Sequence, residues 1–286
     1  MILITGATGH IGAAVIQQLL TKLPASQIAA LVRDEAKAVD LQSQGVNIRV
    51  GNYRDPASLL RAMQGVDKVL LVSGGGEADG LQLHQNVVDA AKEAGVRCLA
   101  YTGRALQDRD TLVNDLMKRH FLTEDYILPS GLNYVLFRNI LYMDTLPQFV
   151  GPQVLETGIQ LPAGEGRVSF ALRREMGEAI ANVLAAGDCA NHVYTFTGRE
   201  TYSFHDVAAA LTELSGREVR YTDIEPAEFV AGMKARGLPE FVVNLSLGFM
   251  TDIKHGQEST ATPELAEVLG RQPASLKEGL KELMSL

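Results

Sequence analysis

An α/β fold, a doubly wound parallel sheet followed by a smaller C-terminal α+β lobe, is predicted by three features of this 286-residue sequence. A strand, a glycine-rich loop and a helix follow one another directly at the start of the chain. Short apolar runs then alternate with helix-patterned segments through residue 138, as a parallel sheet with crossover helices requires. From residue 147 the alternation gives way to a stretch rich in proline and glycine.

The opening stretch is Ile2-Leu3-Ile4-Thr5, then glycines at 6, 9 and 12, then an apolar helical pattern at Ile11, Ala14, Val15 and Leu19. Gly6 allows the tight turn off the strand. Gly9 lets the backbone approach a pyrophosphate, and Gly12 lets the helix pack close to the sheet. The helix N-terminus offers unpaired N–H groups and a positive dipole end to an anion, and Thr8 adds a donor. This is a Rossmann-type dinucleotide cradle. The competing reading is an ordinary strand-to-helix turn.

Residues 28–32 form the second strand, and Arg33 follows it, about 20 residues past Gly12. A carboxylate at that point would accept bonds from a ribose 2′-hydroxyl, whereas an arginine accommodates a 2′-phosphate. NADPH is therefore the expected cofactor, with NADH possible but weaker. Asp34 would serve as the ribose acid if the strand ran one residue longer. It also suits the N-cap of a helix over 35–44 that ends at Gly45. His10 could approach the same phosphate.

The third strand, 46–50, leads to Asn52 and Tyr53, expected near the adenine. Asp55-Pro56 opens a helix to about Met63. The run 68–72 suits a buried parallel strand and ends in Ser73-Gly74-Gly75-Gly76, small residues where a dinucleotide would cross the sheet edge. A helix over 80–94 and a strand over 97–102 follow, with Thr102-Gly103 at the strand's carboxyl end. The next helix, 113–128, carries an apolar stripe of Val113, Leu116, Met117 and Ile127. His120 and Glu124 fall on that same stripe. Burying polar groups without partners is costly. The two could pair with each other as packing, or His120 could face the nicotinamide ribose or the substrate. Strand 133–137 continues into Arg138-Asn139, with Tyr142 and Met143 as candidates for a substrate wall.

The pattern divides the chain into an NADP-binding Rossmann domain, residues 1–145, rejoined by about 174–200, and a substrate-binding lobe, 146–286. In the second half, residues 147–170 read as irregular chain. A helix over 174–186 and a strand over 193–197 return to the sheet. Ser203 caps a helix over 204–215 that Gly216 ends, a short strand follows at 219–222, and Pro226 opens a helix up to Gly237. The tail from 239 is mostly helical, with breaks at Gly256, Pro263 and Pro273.

The net charge is −8, and there is no Lys/Arg-rich run, so no nucleic-acid partner is expected. No apolar run approaches the ~18 residues of a membrane span, and the first strand begins at residue 2, which leaves no room for a leader peptide. A cytoplasmic location is expected. Cys98 and Cys189 offer neither metal-ligand spacing nor a disulfide framework, and reduced thiols are expected.

Four stretches carry a more specific resemblance: Thr5-Gly-Ala-Thr-Gly-His-Ile-Gly12; Pro24-Ala-Ser-Gln-Ile28 with Leu31-Val-Arg33; His120-Phe-Leu-Thr-Glu124; and Arg138-Asn-Ile-Leu-Tyr142. Through them nearly the whole chain resembles the NmrA-like branch of the atypical short-chain dehydrogenases, and within it the type 2 NAD(P)H quinone oxidoreductases and triphenylmethane reductases. The resemblance implies an NADPH-binding Rossmann domain and a C-terminal lobe that contributes to a substrate cleft. Short-chain dehydrogenases generally use a Tyr-x-x-x-Lys pair. Here His120 stands at the lysine position and Leu116 at the tyrosine position, so the usual acid is missing.

The expected activity is an NADPH-dependent reductase passing hydride to a quinone-like or conjugated, cationic small molecule, the protein acting as a monomer or homodimer. Such acceptors take hydride readily, so positioning can supply much of the rate. Gly6, Thr8, Gly9, His10, Ile11 and Gly12 would hold the pyrophosphate and Arg33 the 2′-phosphate. Asn52 and Tyr53 would lie near the adenine, and Ser73, Gly74, Thr102, Gly103 and Asn139 along the path to the nicotinamide. His120, Asn139 and Tyr142 are the candidate catalytic residues. The alternative is a catalytically silent NAD(P)-sensing regulator acting by protein contact. A sugar-nucleotide epimerase is disfavoured, because that chemistry needs the missing proton acceptor.

Overall fold

The computed structural model describes residues 1–74, 79–187 and 189–286. Along the chain the first half contains β1 (Ile2–Ile4), α1 (His10–Leu20), β2 (Ile28–Val32), α2 (Val39–Ser43), β3 (Asn47–Val50), α3 (Pro56–Ala62), β4 (Lys68–Leu71), α4 (Gly80–Glu93), β5 (Cys98–Arg104), α5 (Asp115–Ile127) and β6 (Asn133–Asn139). The second half contains α6 (Leu146–Val150), α7 (Val154–Thr157), β7 (Ile159–Leu161), β8 (Arg167–Val168), α8 (Arg173–Ala186), β9 (His192–Phe196), β10 (Tyr202–Ser203), α9 (Phe204–Ser215), β11 (Tyr221–Asp223), α10 (Pro226–Ala235), α11 (Glu240–Lys254), α12 (Glu264–Leu269) and α13 (Leu276–Met284).

The chain divides into two compact units. The first comprises Met1–Arg104, Arg119–Arg138 and Arg173–Thr195. It is built on a seven-stranded sheet of order β3-β2-β1-β4-β5-β6-β9. The pairs β1–β2, β2–β3, β1–β4 and β4–β5 are parallel, with Ile2 opposite both Ile28 and Lys68. The order reverses between β1 and β4, the switch point at which doubly wound sheets bind dinucleotides. β1, β2, β4 and β5 are buried throughout, which is why their sequences are near-continuous apolar runs rather than alternating ones.

Two contacts hold α8 in this unit. A Cβ at Gly177 would collide with Ala14 of α1, so the missing side chain sets how closely the two helices approach. Lys68, buried at the start of β4, sends its ammonium to the Leu184 carbonyl at 2.7 Å, near the C-terminus of α8. A cation there satisfies a helix-end acceptor and favours the dipole.

The second unit comprises Ala105–Lys118, Asn139–Leu172 and Phe196–Leu286. It contains two small sheets, antiparallel β10–β8 and parallel β11–β7. Ser203 and Asp206 form a reciprocal capping box at α9, and Gly216 ends that helix in the left-handed region at φ 69°. Ser275 and Glu278 repeat the box at α13. Among the described residues no helix is long and apolar enough to cross a membrane.

Several local expectations are corrected. The helix expected over 35–44 is a single turn, Glu35–Lys37, and then α2, because the chain leaves helical geometry at the buried Ala38. Val113 lies ahead of α5 and is 51% exposed, so it does not belong to that helix's apolar stripe. The stretch 147–170 holds two short helices and two short strands rather than irregular chain. Cys98 and Cys189 are joined in a disulfide, not free thiols. They lie 91 residues apart in sequence, but the fold brings the loop between α8 and β9 against the start of β5, leaving their Cα atoms 5.9 Å apart.

Candidate functional site

At the end of β1, Gly6 turns the chain with φ +56°, and its carbonyl accepts from the Gly9 N–H at 2.9 Å. Gly9 is the N-cap of α1 and supplies no side-chain cap. The first intrahelical bond is donated by Ala13 to the Gly9 carbonyl at 2.9 Å, which leaves the N–H groups of His10, Ile11 and Gly12 as the first-turn donors. A Cβ at Gly12 would collide with the Gly6 carbonyl, so this close crossing admits only glycine. Thr8, Gly9 and His10 are exposed, while the Ile11 side chain is buried in the core. Ile11 can therefore meet an anion only through its backbone.

β2 stops at Val32, and Arg33 is exposed just beyond it. The Asp34 carboxylate accepts the Ala36 N–H at 3.0 Å, capping the turn Glu35–Lys37. The strand does not run the extra residue that would make Asp34 a ribose acid. Asn52 is exposed. Tyr53 is tied down: its hydroxyl bonds the buried Thr5 Oγ1 and reaches the Val72 carbonyl at 3.2 Å.

At the exits of β4 and β5, Ser73 N–H donates to Thr102 Oγ1 at 2.9 Å, and the two hydroxyls lie 3.2 Å apart. Gly75 and Gly76 lie outside the described residues. Gly103 is buried, and a Cβ there would come 2.9 Å from Glu124 Oε1, so its missing side chain makes room for that carboxylate. Glu124, 3% exposed, takes a two-pronged bond from Arg138, with Nη2 to Oε2 at 2.6 Å and Nε to Oε1 at 3.1 Å. The supposed pairing of His120 with Glu124 does not form, because the planar guanidinium offers the carboxylate a bidentate, charge-assisted match. His120 instead meets the buried Tyr101 hydroxyl, with Nδ1 2.8 Å from Oη. Burial, then the positive charges of Arg104 and Arg119, hold its pKa well below the usual histidine range. It is a neutral imidazole at pH 7.

In the second unit, Asn139 is fully buried; its Nδ2 reaches the Tyr142 hydroxyl at 3.4 Å, and its Oδ1 has no partner. Tyr142 is half-buried. Met143 is not a substrate-wall residue: it is wholly buried, and its thioether occupies the space that a side chain at Gly279 would need.

Sequence reasoning missed Tyr101 and His84. Tyr101 is concealed in an apolar strand. His84 had the same signal as His120, a histidine on the buried stripe of its helix beside Leu83, Val87, Val88 and Ala91.

Comparison with known proteins agrees with this fold. Quinone oxidoreductase 2 of Escherichia coli is 35% identical over 287 residues, covering 100% of this chain and 99% of that protein. The structure of the E. coli NADPH-dependent quinone oxidoreductase in complex with NADPH superposes with a TM-score of 0.93 at 35% identity, over 99% of both chains. The Citrobacter sp. triphenylmethane reductase complexed with NADP(H) gives 0.92 at 34% identity, over 99% of this chain and 100% of that one. An NAD(P)H azoreductase of Xenophilus azovorans is 33% identical over 84% of this chain and 82% of its own length. The NmrA-like family model matches residues 1–283, and the chain belongs to the NmrA-like family.

Proposed function

We infer that this protein is an NADPH-dependent reductase that passes hydride to a quinone-like or dye-like small molecule. The observation that carries the reading is the β1–α1 turn: a positive-φ glycine, an uncapped helix N-terminus, and a glycine crossing too tight for any side chain. Those features fit a pyrophosphate. The 35% identity to a quinone oxidoreductase over the full chain supports the acceptor class.

In this reading residues 1–145, with 174–200, form the cofactor domain and 146–286 the substrate lobe. The N–H groups of His10, Ile11 and Gly12, with Thr8, hold the pyrophosphate. Arg33 and His10 meet the 2′-phosphate, and Asn52 and Tyr53 border the adenine. Ser73, Gly74, Thr102 and Gly103 shape the sheet edge, and the unpartnered Oδ1 of Asn139 accepts a hydrogen bond from the bound molecule. NADPH, when bound, supplies the hydride. Neutral His120, with Nδ1 committed to Tyr101, orients the ribose or the acceptor through Nε2, and Tyr142 borders the acceptor. A readily reduced acceptor can take its protons from solvent, so a depressed histidine pKa does not obstruct the reaction.

The test is NADPH oxidation followed by absorbance against a panel of quinones and one triphenylmethane dye, with NADH in parallel. Acceptor-dependent oxidation that favours NADPH is expected. Tight cofactor binding with no turnover on any acceptor would replace the reductase by a cofactor sensor. The protein is expected to be a monomer or homodimer, which light scattering would decide.

A further inference from the structure

The end of β4 is held in an unusual way. Three successive backbone N–H groups leave the sheet ladder and are each taken by a side chain from a different element. Val72 N–H donates to Thr5 Oγ1 at 2.9 Å, Ser73 N–H to Thr102 Oγ1 at 2.9 Å, and Gly74 N–H to His84 Nε2 at 3.2 Å. With all three donors committed, these peptides cannot donate to a phosphate. Their part is to give the strand end one fixed shape at the switch point of the sheet.

Among the three acceptors, only His84 also reaches α5. A backbone N–H can only donate, so His84 Nε2 accepts and carries no proton. A neutral imidazole then bears its proton on Nδ1, which lies 2.9 Å from Thr123 Oγ1. The Thr123 hydroxyl in turn donates to the Arg119 carbonyl at 2.9 Å. The direction of every bond follows from the first.

We propose that His84 is a positioning residue for NADPH: through Gly74 it sets the exit of β4, and through Thr123 it ties that exit to α5, one helical turn from His120. This rests on the reductase reading above. The groups facing His84 are Arg119 and His120 from α5 and Tyr101 from β5, whose ring centroid is 5.7 Å away. Burial first, and then the charge of Arg119, hold the His84 pKa down to about 4, so the accepting Nε2 persists at neutral pH.

The experiment measures NADPH affinity of the full chain for wild type, His84→Leu and His84→Gln, with nitrogen-15 NMR of the unliganded wild type. His84→Leu removes the acceptor and leaves the Gly74 N–H unpaired. Its Kd and KM for NADPH should rise about tenfold, while KM for the quinone stays within about twofold. His84→Gln restores an oxygen acceptor and should recover most of that affinity, even though both variants lower Tm through lost packing. NMR should find the Nδ1–H tautomer and a Gly74 amide protected from exchange. Unchanged NADPH affinity in His84→Leu, no recovery in His84→Gln, or an Nε2–H tautomer would each overturn the role of His84. Failure of the wild type to bind NADPH would instead overturn the reductase reading on which it rests.

Discussion

Tyr101 and His120 share a hydrogen bond of 2.8 Å between a strand and a helix, and both side chains are buried. The contact explains how a histidine on a core-facing helical stripe is tolerated: its Nδ1 is satisfied, and no protein group among the described residues hydrogen-bonds Nε2. Burial, rather than this bond, keeps His120 a neutral group and not an acid.

If His120 works on the acceptor rather than the ribose, His120→Ala should lower turnover by about tenfold with NADPH affinity kept, the loss of one buried hydrogen bond to the reacting complex. Steady-state kinetics with a direct binding titration would check this. Unchanged turnover would return His120 to packing.

Stability should fall with acid through the histidines. His84 and His120 are both buried with depressed pKa values. A depressed folded-state pKa means that the unfolded chain binds the proton first. The stability these groups contribute is complete above the unfolded value of about 6.5 and is lost as pH falls toward about 4 for His84. Denaturant melts from pH 7.5 to 4.5 should show this slope, and His84→Gln should flatten it. A wild-type profile that is level between pH 6.5 and 5 would contradict the burial argument.

Arg33→Ala should weaken NADPH binding by about ten- to a hundredfold and leave NADH binding nearly as it was, since only NADPH carries the 2′-phosphate. Titration with both cofactors decides it. Equal losses would remove Arg33 from the phosphate.

Breaking the Glu124–Arg138 pair from the buried side should be expensive. Glu124→Ala strands a cation, and because Arg138 is 37% exposed the cost belongs below the range for fully buried pairs, at about 2–3 kcal/mol. Urea unfolding measures it. A loss under about 0.5 kcal/mol would mean that solvent already carries Arg138.

The Cys98–Cys189 bond should stabilise the first unit. A closed loop of 91 residues corresponds to about 4–5 kcal/mol in the chain-entropy model, and measured effects are commonly about 2–4 kcal/mol. Alkylation under denaturing conditions without reductant should find no free thiol. Reductant should lower the unfolding midpoint of the wild type and leave that of a Cys98→Ser/Cys189→Ser double variant unchanged. Two alkylated cysteines in the untreated protein would overturn the bond.

The sequence by itself determined the strands of the parallel sheet and the glycine loop, because each is written in local signals: continuous apolar runs for buried strands, glycines where backbone crosses backbone, Ser203 and Gly216 where a helix begins and ends. It also singled out His120 and Glu124 as polar residues on an apolar stripe, since helical periodicity is a local property. Which groups satisfied them was decided only by tertiary structure. Tyr101 lies 19 residues from His120, Arg138 lies 14 from Glu124, and Cys189 lies 91 from Cys98. Partners so far apart in the chain leave no period to read. They are selected by which strand follows which in the sheet, and by the cost of leaving a buried polar group unpaired.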